Sequence, residues 1–214
     1  EYTLSLEALM YDGVSLQSAT SHYFGQKFAK AFDVKFVDRE NKLQYVYQTS
    51  WGTTTRMIGA LIMVHGDDNG LVLPPKIAPK QVVIASIRNN DEVSKVIDQI
   101  NEELAKEGIR ILVDKSDKSA GFKFAEYEMK GIPVRIEVGP RDIANGKVVV
   151  ARRDTSLKEE VNIADIAQYV KNLLVDIQQS MYNKALKHTQ ERTYTCTNLE
   201  QVKEIMNTKP GFIK

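Results

Sequence analysis

A single cysteine, Cys196, in 214 residues leaves no partner for an internal disulfide and cannot by itself supply a four-cysteine or a mixed cysteine–histidine metal site. A reducing compartment, the cytoplasm, fits that usage. Long apolar runs are missing too: none approaches the roughly 18 residues that cross a bilayer. Glu1-Tyr2-Thr3-Leu4 has neither the basic head nor the apolar stretch of a signal peptide, so no membrane partner is expected. Net charge is almost absent, since 29 Lys and Arg face 28 Asp and Glu, for a formal charge of +1. A polybasic binder is thereby excluded, and any nucleic-acid role has to rest on a local patch. Aromatics are few, at 8%, but 43% hydrophobic and 27% charged residues describe a globular chain of one large or two small domains rather than a disordered one. There is no GxxxxGK[ST] loop, no GxGxxG after a strand, no HExxH and no GxSxG elbow, and His22, His65 and His188 lie far apart. A zinc or serine hydrolase is therefore unsupported. The chain opens on Glu1 without methionine and is expected to be a piece of something longer.

The residues that are present divide the chain at its prolines. Phe32–Val37 and Leu43–Tyr47 roughly alternate apolar and polar side chains around the turn formers Asp38-Arg39-Glu40-Asn41, which predicts an antiparallel hairpin. From Thr54 to Val64, Met57, Ile58, Leu61, Ile62 and Met63 predict a largely buried helix, ended by His65-Gly66-Asp67-Asp68-Asn69-Gly70. Leu71-Val72-Leu73 reads as a short strand, and Pro74, Pro75 and Pro79 mark a domain boundary. Beyond it, strands expected at 81–87, 109–113, 132–138 and 147–151 alternate with helices at 91–107 and 119–130, with a turn at Gly139-Pro140-Arg141-Asp142. That order indicates an α/β domain with a mixed sheet. A long helix from about Ile163 to Lys187 and a short one broken at Pro210-Gly211 complete the chain. Within residues 110–153 ten basic side chains, Arg110, Lys115, Lys118, Lys123, Lys130, Arg135, Arg141, Lys147, Arg152 and Arg153, face six acidic ones; by itself such a run is an ordinary solvated surface.

Two polar segments stand out. Leu16–Gln26 packs amide, hydroxyl and imidazole groups into what reads as a loop before a helix at Gln26–Phe32, able either to line a pocket or simply to cap that helix. Gln48–Arg56 ends with an arginine in the first turn of an apolar helix, after a glycine and several hydroxyls. A guanidinium placed there gains from meeting a carboxylate or phosphate, so a bound anion is a physical reason for it.

Taken together, LQSATSHYFGQKFAKAF and QTSWGTTTRMIGALIMVHGDDNGLVLPPKIAPKQVVI closely resemble prolyl-tRNA synthetases of the eukaryote- and archaea-like type. The resemblance continues through KFAEYEMKGIPVRIEVGPRDIANGKVVVARRDT and NLLVDIQQSMYNKAL and covers essentially the whole chain. It implies three parts: residues 1–79, the end of a class II antiparallel-sheet catalytic domain with motif 3; residues 80–182, an α/β anticodon-binding domain; and residues 183–214, the start of a C-terminal domain.

By that resemblance Gln17, Thr20, Thr54 and Arg56 would hold ATP, with magnesium sharing the charge, and His22, Ser50, Trp51 and Gly52 would line the pocket for L-proline. Glu128, Arg135, Arg141 and Asp142 would read the guanines of the tRNA(Pro) anticodon; where Arg141 stands the family often has lysine, which keeps the charge but changes donor geometry. Guanine suits both signs, because a carboxylate accepts from the N1 and N2 hydrogens while arginine donates to O6 and N7. Read alone, Glu128 and Arg135 are a surface ion pair. His65 is expected at a helix end, His188 in solvent and Cys196 as an inert thiol, and zinc belongs to a C-terminal region of some relatives that this chain does not reach.

Class II catalysis also needs motif 1 at a dimer interface and motif 2 with an R-x-E strand. Arg135-Ile136-Glu137 imitates the latter but lies after motif 3, so it is rejected as motif 2. The implied parent is a cytoplasmic, homodimeric proline–tRNA ligase, and this piece alone is expected to be inactive. The competing reading is a non-catalytic, synthetase-like tRNA-binding protein, against which intact Gln17, Thr20, His22 and Arg56 argue.

Overall fold

Antiparallel pairing builds the first sheet of the computed structural model, which describes all 214 residues; of its strands only the first alternates apolar and polar residues. Strand β1 (Tyr2–Leu9) pairs antiparallel with β2 (Ser15–Gly25), and β2 pairs antiparallel with β5 (Gln48–Thr53), so the sheet order is β1-β2-β5. Between β2 and β5 lie the short helix α1 (Lys27–Ala31) and the hairpin β3 (Lys35–Val37) with β4 (Leu43–Tyr45), where alternation and the Asp38–Asn41 turn led us to expect one. Helix α2 (Arg56–His65) follows.

Two expectations for this region are corrected. Leu16–Gln26 is not a loop; through Gly25 it is the central strand, because its backbone finds pairing partners on both edges. Helix α2 is not largely buried: only Ala60 is, whereas Met57, Ile58 and Ile62 are exposed. Its apolar residues meet no covering layer in this chain.

By contacts the chain divides into two compact units, residues 1–64 with 188–214, and residues 65–187. The first unit thus takes in the C-terminal residues: β11 (Thr193–Tyr194) and β12 (Phe212–Ile213) form a small parallel pair around α7 (Leu199–Thr208). Asn198 caps α7 by accepting from the Gln201 amide. His188, expected in solvent, is half-buried and shares a 3.0 Å hydrogen bond with the Met10 carbonyl in the β1–β2 turn, a partner distant in sequence that periodicity does not reveal. His65 is the last residue of α2, and burial lowers its pKa, with Lys184 adding to the effect.

The second unit is a five-stranded mixed sheet, order β10-β9-β8-β6-β7. Its strands are β6 (Val82–Ser86), β7 (Ile111–Asp114), β8 (Val134–Val138), β9 (Lys147–Arg152) and β10 (Lys158–Asn162). β6 runs parallel to β7 and β8, while β9 is antiparallel to β8 and β10. The helices are α3 (Asp91–Lys106), α4 (Ala120–Met129), α5 (Pro140–Ala144) and α6 (Ile166–Glu191). β6 and β8 are buried at every position; β6 reads as an apolar run, whereas β8 alternates Val134, Ile136 and Val138 with the buried charged pair Arg135 and Glu137. Val93, Ile97, Ile100 and Leu104 of α3 and Ile166, Val170, Leu174, Ile177 and Met181 of α6 pack with them into one core. Asn90 and Ser119 cap α3 and α4 through side-chain acceptors.

The second unit also corrects the sequence reading. The turn at Gly139–Asp142 is the start of α5, with Pro140 in its first turn, where a missing N–H costs nothing. β10 was not foreseen, because Lys158-Glu159-Glu160 hides its single buried residue, Val161. Leu71–Leu73 does not join a sheet; the Leu71 and Leu73 amides donate instead to the Met129 and Gly131 carbonyls at the end of α4.

Candidate functional site

In the first unit one bulge decides which side chains meet. Leu6 pairs with Ala19 and Glu7 with Gln17, so Ser18 is the extra residue of β2. Without it Gln17 would face away from Thr20 and His22; with it, all three share the face that carries Thr3, Ser5 and Glu7 of β1. The bulge is held by the Thr53 hydroxyl, which donates to the Ser18 carbonyl at 3.2 Å, and by the Ser18 hydroxyl, which donates to the Leu16 carbonyl. On the other edge Thr20 stands opposite Gly52 and His22 opposite Ser50. A Cβ added at Gly52 would meet nothing within 4 Å, so the sheet is open there.

A polar ladder runs along this face. The Gln17 amide donates to Ser5 Oγ at 3.2 Å, and the Ser5 and Ser15 hydroxyls both donate to the Glu7 carboxylate. Thr3 Oγ1 lies 2.9 Å from His22 Nδ1, and the His22 ring stacks on Phe24 with centroids 5.2 Å apart. The ring is thus fixed with Nε2 left for another partner. Arg56 reaches back from the first turn of α2 and donates through Nη1 to the Gln17 carbonyl at 3.2 Å, while Thr54 Oγ1 accepts from the Arg56 amide. Thr54 therefore serves as a helix cap in this structure. Trp51 is not brought to this face: it stands opposite Ser21, on the other side of the sheet, and is 79% exposed.

The second unit gathers a different set. Arg135, on buried β8, is almost covered, and its guanidinium lies between two carboxylates: Nη1 is 3.0 Å from Glu128 and Nε and Nη2 are 3.0 Å from Glu137. The ion-pair reading of Glu128 and Arg135 is correct for this state. It is not a surface pair, however, because Arg135 is only 8% exposed while Glu128, at 40%, presents its carboxylate outward. The guanidinium also lies 4.1 Å over the Phe124 ring; Lys158 covers the same ring at 4.9 Å and pairs with Glu137 at 2.8 Å. An open recess lined by Glu128, Arg135, Ser156 and Lys158 results. The Phe124 ring is thus covered by cations and does not line the recess, which offers a base the Glu128 carboxylate as acceptor and Arg135 and Lys158 as donors.

Arg141 and Asp142 lie elsewhere, on α5 beyond the far end of β8. Arg135 and Arg141 therefore stand on different elements, Arg135 within β8 and Arg141 in α5 after that strand has ended. The Asp142 carboxylate lies against Gly139, where an added Cβ would come within 2.9 Å of it. Sequence reasoning missed Phe124, Glu137 and Lys158. Phe124 was within reach, since it lies four residues before Glu128 on one helix face, and Glu137 lies two after Arg135 on one strand face. Lys158 belongs to the unforeseen β10 and gave no local signal.

No group of three or more His, Cys, Asp or Glu side chains is placed to hold a metal ion, and no helix is long and apolar enough to cross a membrane.

A family model described as "Anticodon binding domain" matches residues 81–173. The proline–tRNA ligase of Clostridium novyi is 53% identical over 213 residues, which cover 99% of this chain and 44% of that protein. The proline–tRNA ligase of Lachnospira eligens is 51% identical over 215 residues, covering all of this chain and 45% of that one. Among solved structures, the prolyl-tRNA synthetase from Cryptosporidium parvum complexed with halofuginone and AMPPNP superposes with a TM-score of 0.90 at 38% identity, over 97% of this chain and 44% of that one. The chain therefore spans somewhat under half the length of the relatives it matches.

Proposed function

The chain carries an anticodon-binding domain and is homologous along its whole length to proline–tRNA ligases, and from that premise we propose that it is the part of such a ligase joining the proline and nucleotide pocket to the tRNA(Pro) reader. The reaction has two steps. The carboxylate of L-proline attacks the α-phosphate of ATP, forming prolyl-adenylate and releasing pyrophosphate; a hydroxyl of the terminal adenosine of tRNA(Pro) then attacks the prolyl carbonyl and releases AMP.

The observation that carries this reading is the single polar face created by the Ser18 bulge, with Gln17, Thr20 and His22 side by side and Arg56 anchored at the Gln17 carbonyl. A fixed guanidinium stabilises charge gathering on the α-phosphate and pyrophosphate without reorganising during the reaction. Gln17, Thr20, Thr54 and Arg56 would hold ATP, whose phosphates would in turn carry magnesium. For L-proline the same face supplies His22, Ser50 and Gly52. Trp51 is left out of this pocket because its strand position turns it to the opposite side.

Exposed Leu4, Leu6, Ile58 and Ile62 fit a catalytic domain that further protein completes, and a homodimer and a cytoplasmic site of action are proposed with it. Glu128 and Arg135, with Phe124 and Lys158 beside them, would take one anticodon base, and Arg141 with Asp142 a second. The test is proline-dependent exchange of pyrophosphate into ATP by the full-length protein, with charging of tRNA(Pro). Full-length protein that binds tRNA(Pro) but exchanges nothing would reduce the reading to an RNA-binding protein.

A further inference from the structure

The residues that follow α2 are seated on the end of α4 that carries Glu128. The Leu71 amide donates to the Met129 carbonyl at 3.1 Å and the Leu73 amide to the Gly131 carbonyl at 3.3 Å. The approach is close enough to require glycine on both sides. Gly70 has φ +127° and an added Cβ would come 2.6 Å from Met129 Cα; Gly131 has φ +69° and its Cβ would come 2.6 Å from Leu71 Cβ.

Above this seat lies Arg153, with 3% of its side chain exposed. Its Nη1 and Nη2 meet the two oxygens of Asp67 at 2.7 and 2.6 Å, and its Nε donates to the Glu128 carbonyl at 3.0 Å. One planar group thus joins Asp67 to the backbone of Glu128. The Glu128 carboxylate, in turn, is 3.0 Å from Arg135.

We infer that Asp67 and Arg153 are positioning residues for base recognition, setting through the Glu128 backbone where the Glu128 carboxylate and Arg135 meet an anticodon guanine. The inference rests on the proposed reading of Glu128 and Arg135 as an anticodon reader. The physical argument is one of tolerance. A recognition group has to be held within about 0.5 Å of its productive place, and Glu128 sits in the last turn of α4, where a helix frays unless its final carbonyls are held. Arg153 holds one of those carbonyls, and Asp67 fixes the plane of Arg153. A lysine at 153 would keep the charge but could not make three directed bonds in one plane.

The test uses the full-length protein and anticodon stem-loop RNAs of tRNA(Pro), either native or with each anticodon guanine replaced by adenine. The readout is the ratio of dissociation constants, adenine over guanine, alongside thermal unfolding. Asp67→Asn and Arg153→Lys are expected to lower that ratio about fivefold or more at one guanine, within the range of a good base contact, and to leave affinity for the adenine RNA unchanged. A merely structural brace would lower Tm and weaken both RNAs equally. Glu128→Gln is the control. If it lowers the ratio and folded Asp67→Asn does not, the positioning role is overturned. Should Glu128→Gln itself leave the ratio unchanged, or the full-length protein bind neither RNA, the anticodon reading fails first and this inference falls with it. If Asp67→Asn does not fold, Asp67→Glu, which keeps the charge but displaces it by one methylene, is judged by the same ratio.

Discussion

Arg56 and Gln17 are joined by a 3.2 Å hydrogen bond from the guanidinium Nη1 to the Gln17 backbone carbonyl. Thirty-nine residues apart in sequence, they bring the start of α2 onto the bulged part of β2. The bond leaves the other guanidinium nitrogen available to an anion. Arg56→Ala in the full-length enzyme is expected to lower pyrophosphate exchange by about a hundredfold, as loss of a fixed charge-stabilising donor does elsewhere, with little change in tRNA affinity. Equal loss of both would show that the arginine braces the fold and does not meet the nucleotide.

Arg135 is the corresponding test in the other unit. Because it is 8% exposed and paired with Glu128 and Glu137, Arg135→Ala leaves Glu128 without this cation and the buried Glu137 with Lys158 alone. It is expected to cost the α/β unit about 3 kcal/mol in stability, as breaking a buried pair does. Discrimination at one anticodon guanine should fall by about 1–3 kcal/mol. The milder Glu128→Gln separates the effects, because Glu128 is 40% exposed: its stability change should be small and its loss of discrimination similar. Guanine discrimination that survives Glu128→Gln would assign base reading to other residues.

How far the sequence could be read is seen by following these elements. The α/β unit was legible because its signals are local: an apolar β-branched run in β6, alternating apolar residues in β8 and a one-sided apolar stripe on α3. Leu16–Gln26 misled because its polar residues occupy both parities around one extra residue, Ser18, and so break the alternation that identifies a strand. No periodicity reports a bulge whose proof is the pairing partner. Likewise the site residues came from motif resemblance, whereas their contacts depend on distant carbonyls and hydroxyls, such as Gln17 for Arg56 and Thr3 for His22. Trp51 shows what a motif leaves open, since neighbours in sequence face opposite sides of a strand and Trp51 stands opposite Ser21.

The bulge makes its own prediction. Thr53→Val removes the hydroxyl that donates to the Ser18 carbonyl, at nearly constant side-chain shape. Stability in urea should fall by about 0.5–1.5 kcal/mol, the usual worth of one such bond. In the full-length enzyme, the KM for ATP should rise while affinity for tRNA stays, because Gln17 is the residue the bulge aims. A rise confined to tRNA binding would contradict the register argument.

Asp114 gives the α/β unit a pH dependence whose sign can be worked out. Its carboxylate, 8% exposed, accepts from Tyr127 Oη at 2.7 Å and from the Ser116 amide at 2.8 Å, and lies 3.7 Å from the fully buried Lys123 ammonium. Burial, the largest single influence, works against ionisation. It is outweighed by the hydrogen bonds from Ser116 and Tyr127 and the charge of Lys123, which together hold the carboxyl at about 2 against an ordinary 3.8. A pKa lowered by folding contributes stability that is fully present above the unfolded value and lost as pH falls through the folded one. The contribution should therefore be complete by about pH 5 and disappear between about pH 4 and 2, with a size on the order of 2 kcal/mol. Other carboxylates titrate over the same range, so the informative quantity is the difference from Asp114→Asn. That variant should be less stable by about 2 kcal/mol or more at neutral pH, since the buried Lys123 amine loses the carboxylate beside it. The gap should narrow steadily as both proteins are unfolded in urea at about pH 5, 4, 3 and 2. A gap of constant size across that range would mean that Asp114 acts through shape and hydrogen bonding and not through its charge.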